Sequence, residues 1–127
     1  MILIRHGQSL WNKERRFTGW ADIDLTAQGK REAKNSGLLI KKLNIKFNAY
    51  FTSELKRAVN TLNIILKELN EPNAIYIKSS SLNERHYGDL TSLNKDDIIK
   101  KYGAEQVQIW RRSFDTSPPP IHSSHPY

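Results

Sequence analysis

The chain has 127 residues, a formal net charge of +7, 38% hydrophobic residues and 26% charged residues. This is the size and composition of one soluble globular domain. The absence of cysteine excludes a disulfide framework, a thiolate metal site and a cysteine nucleophile. No apolar run approaches the ~18 residues of a membrane helix, and the apolar stretch after Met1 ends at Arg5. We therefore expect a cytoplasmic protein with no membrane partner.

The positive charge favours an anionic partner, and its distribution favours a small anion over nucleic acid. The lysines are scattered, whereas five of the eight arginines lie in or beside the motifs discussed below: Arg5, Arg57, Arg85, Arg111 and Arg112. A nucleic-acid-binding domain more often shows a continuous basic stripe with aromatic residues between the charges. No nucleic-acid partner is therefore expected.

The first half of the chain alternates between predicted strands and helices. Residues 2–4 (ILI) predict a short buried strand, followed by a polar loop through FTGWADIDL. Thr26 is the predicted N-cap of a helix that ends near Asn44, and residues 49–53 (AYFTS) predict a second strand. The next helix has Ser53 as its predicted N-cap and carries apolar residues at helical spacing from Leu55 to Leu69.

The second half begins with a third predicted strand, AIYIK, and a long loop that contains LNERHYGDL. A short helix is predicted over residues 96–102, ending at Gly103, and a last helical stretch places Val107, Trp110 and Phe114 in the core. The alternation predicts an α/β fold, with a mainly parallel sheet flanked by helices. Residues 1–114 are predicted to form this domain, and residues 115–127 a proline-rich polar tail or mid-domain connection.

Two short motifs, RHG and SELKR, each follow a predicted strand. Ligands of open α/β sheets bind beyond the carboxyl ends of the strands, and helix N-termini attract anions. Arg57 is predicted in the first turn of its helix, opposite the apolar stripe, so His6, Arg5 and Arg57 can converge on one phosphate beside Gly7. A neutral imidazole can attack phosphorus while guanidinium groups stabilise the oxygens. A hydrogen-bonded structural histidine is the alternative interpretation of so short a motif.

Longer segments carry a family resemblance. The stretch RHGQSLWNKERRFTGWADIDLTAQG resembles the opening of cofactor-dependent phosphoglycerate mutases, which belong to the histidine phosphatase superfamily. SELKRA, LNERHYGDLTSLNK and YGAEQVQIWRRSFDTSPPP continue the match in the same order. RHG is shared with the phosphatases of the superfamily, whereas FTGW, LNERHYG and WRR are more specific to the mutases.

The resemblance implies interconversion of 3-phosphoglycerate and 2-phosphoglycerate in glycolysis and gluconeogenesis, through a phosphohistidine primed by 2,3-bisphosphoglycerate and without a metal. It implies that His6 is the nucleophile, that Arg5 and Arg57 hold the phosphoryl group, and that Glu84 is the general acid/base. Further contacts with the phosphorylated three-carbon acids are implied for Asn12, Thr18, Gly19, Arg85, Tyr87, Lys95, Arg111 and Arg112. Such a pocket suits a ligand with several negative charges.

Other residues have simpler interpretations. Without the resemblance, Glu84 would be a surface carboxylate paired with Arg85. His86 is expected to be structural, because one phosphate needs one attacking nitrogen. Trp11, Trp20 and Trp110 are expected to anchor the core or its loops.

The family's second catalytic histidine lies in an AHGN-like segment, which has no counterpart here. His122 and His125 lie in the proline-rich tail, beside neither a strand nor a glycine, and are not assigned that role. The resemblance therefore covers the N-terminal portion of the family and predicts a shortened chain that lacks the C-terminal strands and helices. A homo-oligomer is expected, because an apolar strand edge would be unpaired. Impaired mutase activity is expected, because the second catalytic histidine segment is absent and the phosphohistidine is open to water. A phosphatase and a non-catalytic anion-binding remnant are the alternatives.

Overall fold

The chain contains helices and a small parallel sheet. A computed structural model describes all 127 residues, Met1–Tyr127. The elements in chain order are α1 (Leu10–Lys13), α2 (Ala27–Lys42), β1 (Phe51–Thr52), α3 (Lys56–Glu68), β2 (Ile77–Lys78), α4 (Lys95–Tyr102) and α5 (Ala104–Arg112), with 3₁₀ turns at Ser80–Leu82 and Gly88–Leu90. β1 and β2 pair in parallel, with Phe51 opposite Ile77, and α3 makes the crossover that parallel strands require. The predicted α/β class is confirmed.

The residues form two units, each built from two stretches of sequence. The first unit comprises residues 1–10 and 22–83, and the second comprises residues 11–21 and 84–127. No helix in the chain has the length and apolar character needed to cross a membrane. The predicted boundary between residues 114 and 115 stays a prediction.

In the first unit α2 packs on α3. Thr26 is the N-cap of α2, as predicted, and its hydroxyl oxygen accepts the N–H of Gly29 at 3.0 Å. The helices approach closely at Gly37, where an added Cβ would lie 2.9 Å from the Cβ of Glu68. Ile40 and Ile65 are among the buried residues of these two helices, so the helix pair supplies much of this unit's core.

The N-terminus of α3 differs from the prediction. The helix begins at Lys56, with Leu55 rather than Ser53 at the capping position. The backbone N–H of Lys56 donates to the Asp22 carboxylate at 2.7 Å, and the Lys56 ammonium lies 3.6 Å from the same group. Because this carboxylate comes from a distant part of the sequence, local capping patterns do not reveal it.

The predicted buried strand at residues 2–4 is wrong. Ile2, Leu3 and Ile4 are exposed and outside any strand, with Leu3 at 83% exposure. A strand forms only where a neighbouring strand bonds with it, and in this sheet β1 pairs with β2 alone. The other two strands are confirmed but shorter than predicted, with two residues each.

The second unit is built around α4 and α5, which pack on one another. Its buried cluster consists of Phe17, Leu90, Ile98, Val107 and Trp110, with Tyr87 and Ile99 packed against it. The predicted end of α4 at Gly103 is confirmed, and this glycine has a φ of 84°. The prediction that Phe114 is a core residue is wrong, because α5 ends at Arg112 and the Phe114 side chain is exposed.

The tail packs within the second unit. The N–H of Asp89 donates to the Pro119 carbonyl at 3.1 Å, and the His122 ring lies 3.0 Å from the Asp89 carboxylate. The Tyr127 ring meets the buried Trp11 ring edge-on, with 5.0 Å between centroids. These contacts attach the proline-rich segment to the rest of its unit.

We predict that Gly29→Ala lowers the free energy of unfolding by about 1–3 kcal/mol, because a Cβ there would overlap the Gln8 carbonyl oxygen. Alanine for glycine inside a helix normally raises stability by ~0.5–1 kcal/mol. A loss of stability would therefore show that Gly29 lies too close to Gln8 to accept a side chain. Urea unfolding measures it. Asn35→Ala, on the exposed face of α2, is the matched control and should not destabilise. A stabilised Gly29→Ala variant would contradict the packing.

Candidate active site

His6 and Arg57 form the centre of the candidate site, in the first unit. The His6 Nδ1 lies 2.7 Å from the Gly7 carbonyl oxygen. Because a carbonyl only accepts hydrogen bonds, Nδ1 carries the proton, and the lone pair of the neutral ring is on Nε2. The Nε–H of Arg57 donates to that lone pair at 3.2 Å. The ring therefore has a fixed tautomer, with its nucleophilic nitrogen facing a guanidinium group.

Arg57 lies in the first turn of α3, as predicted, but not on a solvent-facing side of it. Its side chain is only 1% exposed, on a buried face that it shares with Thr61 and Ile65. A buried guanidinium is unfavourable unless it is hydrogen-bonded, and it strongly favours an anion that comes within reach. The sequence places Arg57 opposite the apolar stripe, and the structure shows that burial of α3 extends beyond the apolar residues to Arg57 and Thr61. Arg5, the residue before His6, is exposed.

Thr61 is a residue at this site that the sequence analysis missed. Its hydroxyl oxygen accepts the Gly7 N–H at 3.1 Å and donates to the Arg57 carbonyl oxygen at 2.7 Å. The available sequence signal was a polar residue within a largely apolar helix face, one turn after the candidate arginine. Gly7 is also constrained on its other side, since a Cβ there would overlap the Gly29 carbonyl group.

The remaining predicted site residues lie in the second unit: Asn12, Thr18, Gly19, Glu84, Arg85, Tyr87, Lys95, Arg111 and Arg112. The centre of the Tyr87 ring lies 5.0 Å from that of the Phe17 ring, and the Tyr87 hydroxyl accepts a hydrogen bond from the Arg111 side chain. Burial raises the pKa of Tyr87 and the Glu84 charge raises it further, whereas Arg111 and Arg85 lower it. The net pKa is raised, so Tyr87 stays a neutral phenol at physiological pH.

Arg85 does not pair with Glu84. Its guanidinium donates to the Trp110 carbonyl at 2.8 Å and to the Ser113 carbonyl at 2.9 Å. These acceptors lie at the C-terminal end of α5, where carbonyl groups lack helical partners and favour a cation. The interpretation of Glu84 as the ion-pair partner of Arg85 is therefore wrong. The exposed Glu84 carboxylate accepts the backbone N–H of Arg85 at 3.2 Å.

The segment FTGW, residues 17–20, contacts the segment ERHY, residues 84–87. The Trp20 indole N–H donates to the Glu84 carbonyl at 2.7 Å, so this half-exposed ring anchors a loop, as expected. Gly19 has a φ of 52°, and a Cβ there would lie 3.2 Å from the Tyr87 nitrogen. His86 accepts the Gly88 N–H on Nδ1 at 2.9 Å, a contact typical of a structural histidine.

The other predicted contacts differ in exposure. Thr18 is buried and its hydroxyl has no hydrogen-bond partner, whereas Arg112 is exposed. The Lys95 ammonium lies 5.8 Å from the centre of the Phe17 ring. No group of three or more histidine, cysteine, aspartate or glutamate side chains is placed to hold a metal ion. The substrate-contact roles of these residues stay predictions.

Comparison with known proteins identifies the family. Residues 1–125 match the histidine phosphatase superfamily (branch 1), and the chain belongs to this family. It is 53% identical over 126 residues to a 2,3-bisphosphoglycerate-dependent phosphoglycerate mutase of Hydrogenobaculum sp. (strain Y04AAS1), a match that covers 99% of this chain and 51% of the relative. It is 57% identical over 119 residues to a phosphoglycerate mutase of Schizosaccharomyces pombe, covering 94% and 56% respectively. The chain thus spans about half the length of the curated relatives it matches.

Solved structures share the fold. A phosphoglycerate mutase from Bacillus anthracis matches with a TM-score of 0.71 and 27% identity, over 83% of this chain and 47% of that one. A mycobacterial glucosyl-3-phosphoglycerate phosphatase matches with a TM-score of 0.74 and 23% identity, over 91% and 51% respectively. The arrangement of helices and parallel strands is therefore that of phosphoglycerate mutase-like proteins.

We predict that Glu84→Gln lowers the pKa of Tyr87 and that Arg111→Gln raises it. Removing a nearby negative charge makes the tyrosinate less unfavourable, and removing a cation and its hydrogen bond does the opposite. The ¹³Cζ shift of labelled tyrosine, followed against pH, measures both changes. Glu105→Gln, on the exposed surface of α5, is the control and should leave the Tyr87 titration unchanged. Shifts of the same sign in both variants would contradict this description of the site.

Proposed function

We propose that the protein carrying this sequence is a 2,3-bisphosphoglycerate-dependent phosphoglycerate mutase that works through a phosphohistidine at His6. The observation that carries the proposal is the His6–Arg57 pair, in which the Nε2 lone pair faces a buried guanidinium. The mutase names of relatives that are 52–57% identical to the chain support this choice of reaction. The pair suits a phosphorylated ligand, because the buried guanidinium can bind phosphoryl oxygens while the adjacent unprotonated nitrogen can attack phosphorus.

The proposed chemistry is in-line phosphoryl transfer. The His6 Nε2 lone pair forms a bond to phosphorus as the ester P–O bond of the bisphosphorylated acid breaks. The bonding electrons leave with the ester oxygen, which takes a proton from Glu84. Arg57 moves its N–H from the imidazole to a phosphoryl oxygen, with Arg5 beside it. The phosphorylated His6 then passes its phosphoryl group to the free hydroxyl of 3-phosphoglycerate, as the N–P bond breaks and the hydroxyl proton goes to Glu84. The bisphosphorylated acid so formed returns its other phosphoryl group to His6, its ester oxygen takes the proton back from Glu84, and 2-phosphoglycerate leaves with the phosphohistidine restored.

The second unit supplies the proposed ligand contacts. Tyr87 is kept neutral by its raised pKa, so its phenol can hydrogen-bond a carboxylate or phosphate without adding a negative charge. Arg111 is held by that phenol, and Lys95 and Arg112 add positive charge. Gly19 and the buried Thr18 belong to the loop that reaches the Tyr87 backbone. We assign Asn12 to the phosphoryl group and these residues, with Arg85, to the three-carbon acid.

A phosphatase is the second candidate. It would form the same phosphohistidine but transfer the group to water, so the His6–Arg57 pair favours both reactions equally. The mutase is preferred because the closely similar sequences are named mutases, whereas the phosphatase neighbour is similar in fold. A homo-oligomer and a cytoplasmic location also stay predictions. The exposed apolar side chains of Leu3, Phe51 and Ile77 motivate the first of these.

We predict that ³²P-labelled 2,3-bisphosphoglycerate labels the protein on His6, with an acid-labile and alkali-stable bond. His6→Asn should lose the label because it removes the attacking nitrogen, and His125→Asn is the control that should keep it. Mass spectrometry locates the phosphate. A protein without label would leave only an anion-binding role, and label on another residue would refute His6 as the nucleophile. With 3-phosphoglycerate as acceptor, formation of 2-phosphoglycerate indicates a mutase and release of free phosphate indicates a phosphatase.

We predict that Arg57→Lys slows labelling of His6 by about 10²–10³-fold, because an ammonium lacks the paired N–H groups that stabilise the transferring phosphoryl oxygens. Rapid-quench measurement of the label at saturating donor gives the rate. Arg31→Lys, an exposed position on α2, is the matched control and should label at the normal rate. A fully active Arg57→Lys variant would show that the buried guanidinium has no part in the transfer.

A further inference from the structure

The buried Thr61 hydroxyl of the first unit bonds two segments that are far apart in sequence. Thr61 is 4% exposed and follows Arg57 by one turn of α3. Its O–H donates to the Arg57 carbonyl oxygen at 2.7 Å, and its oxygen accepts the N–H of Gly7 at 3.1 Å. One atom thus joins the helix that carries the arginine to the segment that carries the histidine.

These two hydrogen bonds are part of a cycle that links Thr61, Gly7, His6 and Arg57. Gly7, held at its N–H by Thr61, accepts the His6 Nδ1–H on its carbonyl at 2.7 Å. The other nitrogen of the ring accepts the Arg57 Nε–H at 3.2 Å, and the Arg57 carbonyl returns the path to Thr61. The N–H and the carbonyl of Gly7 belong to successive peptide groups, so Thr61 acts on the carbonyl through the Gly7 backbone. The position of that carbonyl in turn favours protonation of Nδ1 and fixes where the ring points.

We propose that Thr61 is a positioning residue for phosphoryl transfer at His6. The inference rests on the proposed function and identifies a residue that acts through Gly7 without touching the phosphoryl group. When a phosphoryl group draws the Arg57 N–H away, the bond from Nδ1 to Gly7 holds the ring, and that bond depends on Thr61. A small misplacement of a nucleophile can cost about 10²-fold in rate.

A local role for Thr61 is the competing explanation. Threonine hydroxyls in helices often bond the carbonyl four residues earlier, as Thr61 does with Arg57. That habit does not explain the second bond, which reaches residue 7 from far along the chain. Loss of the hydroxyl would leave a buried Gly7 N–H without a partner and free its peptide to reorient. A purely local role predicts no change at the imidazole.

The test compares three variants of the protein that carries this sequence. Thr61→Val keeps the shape and removes the hydroxyl, and should slow labelling of His6 by 2,3-bisphosphoglycerate about 10–100-fold at saturating donor. Thr61→Ser keeps the hydroxyl and should label within about threefold of the unsubstituted protein. Thr91→Val is the matched control, since Thr91 is 1% exposed and its hydroxyl has no hydrogen-bond partner. It should leave the labelling rate unchanged.

The ¹⁵N shifts of the His6 ring give a readout independent of turnover. We expect the Nδ1–H tautomer in the unsubstituted protein and in Thr61→Ser, and a mixture of tautomers in Thr61→Val. Normal labelling by Thr61→Val, or a rate of Thr61→Ser as low as that of Thr61→Val, would overturn the inference. If Thr61→Val does not fold, slow labelling by a folded Thr61→Ser still overturns it. Failure of the unsubstituted protein to label refutes the proposed function instead, while the tautomers still test the Thr61 contact.

Discussion

A buried guanidinium beside a neutral imidazole is the contact on which the proposed chemistry of the first unit depends. Removing a cation from water is costly, and Arg57 is almost completely enclosed. An incoming phosphoryl dianion offsets part of that cost, so the enclosure that makes Arg57 unfavourable in isolation makes anion binding favourable. The same contact leaves His6 unprotonated at Nε2, because a nitrogen that accepts a hydrogen bond from arginine cannot also carry a proton.

The parts of the fold that could be predicted from sequence are those with local causes. Thr26 and Gly103 mark helix ends through their own backbone and side-chain preferences, and both positions were predicted correctly. The failures have non-local causes. The acceptor for the first N–H of α3 comes from Asp22, and the ILI segment lacks a partner strand. A window of neighbouring residues contains neither cause.

The candidate site shows the same division. His6 and Arg57 were predicted from their positions directly after predicted strands, and the structure brings them into contact. The burial of Arg57 and the Thr61 contact could not be predicted, because both depend on how α3 packs against residues 6 and 7. For Glu84 and Arg85, adjacency in sequence suggested an ion pair, yet the guanidinium instead binds carbonyl groups at the end of α5. Free carbonyls at a helix end compete well for a nearby cation.

The second unit is built from two distant stretches of sequence, so its core can form only late in protein synthesis. Phe17, fully enclosed in that unit, needs Val107 and Trp110 to complete its surroundings. While the chain emerges from the ribosome, Phe17 must wait until most of the sequence has been translated, whereas α2 and α3 are made close together and can associate earlier. Closing such a long loop is slow and leaves an aromatic side chain open to chaperones in the meantime. The order of translation therefore favours early assembly of the helix pair and late burial of Phe17.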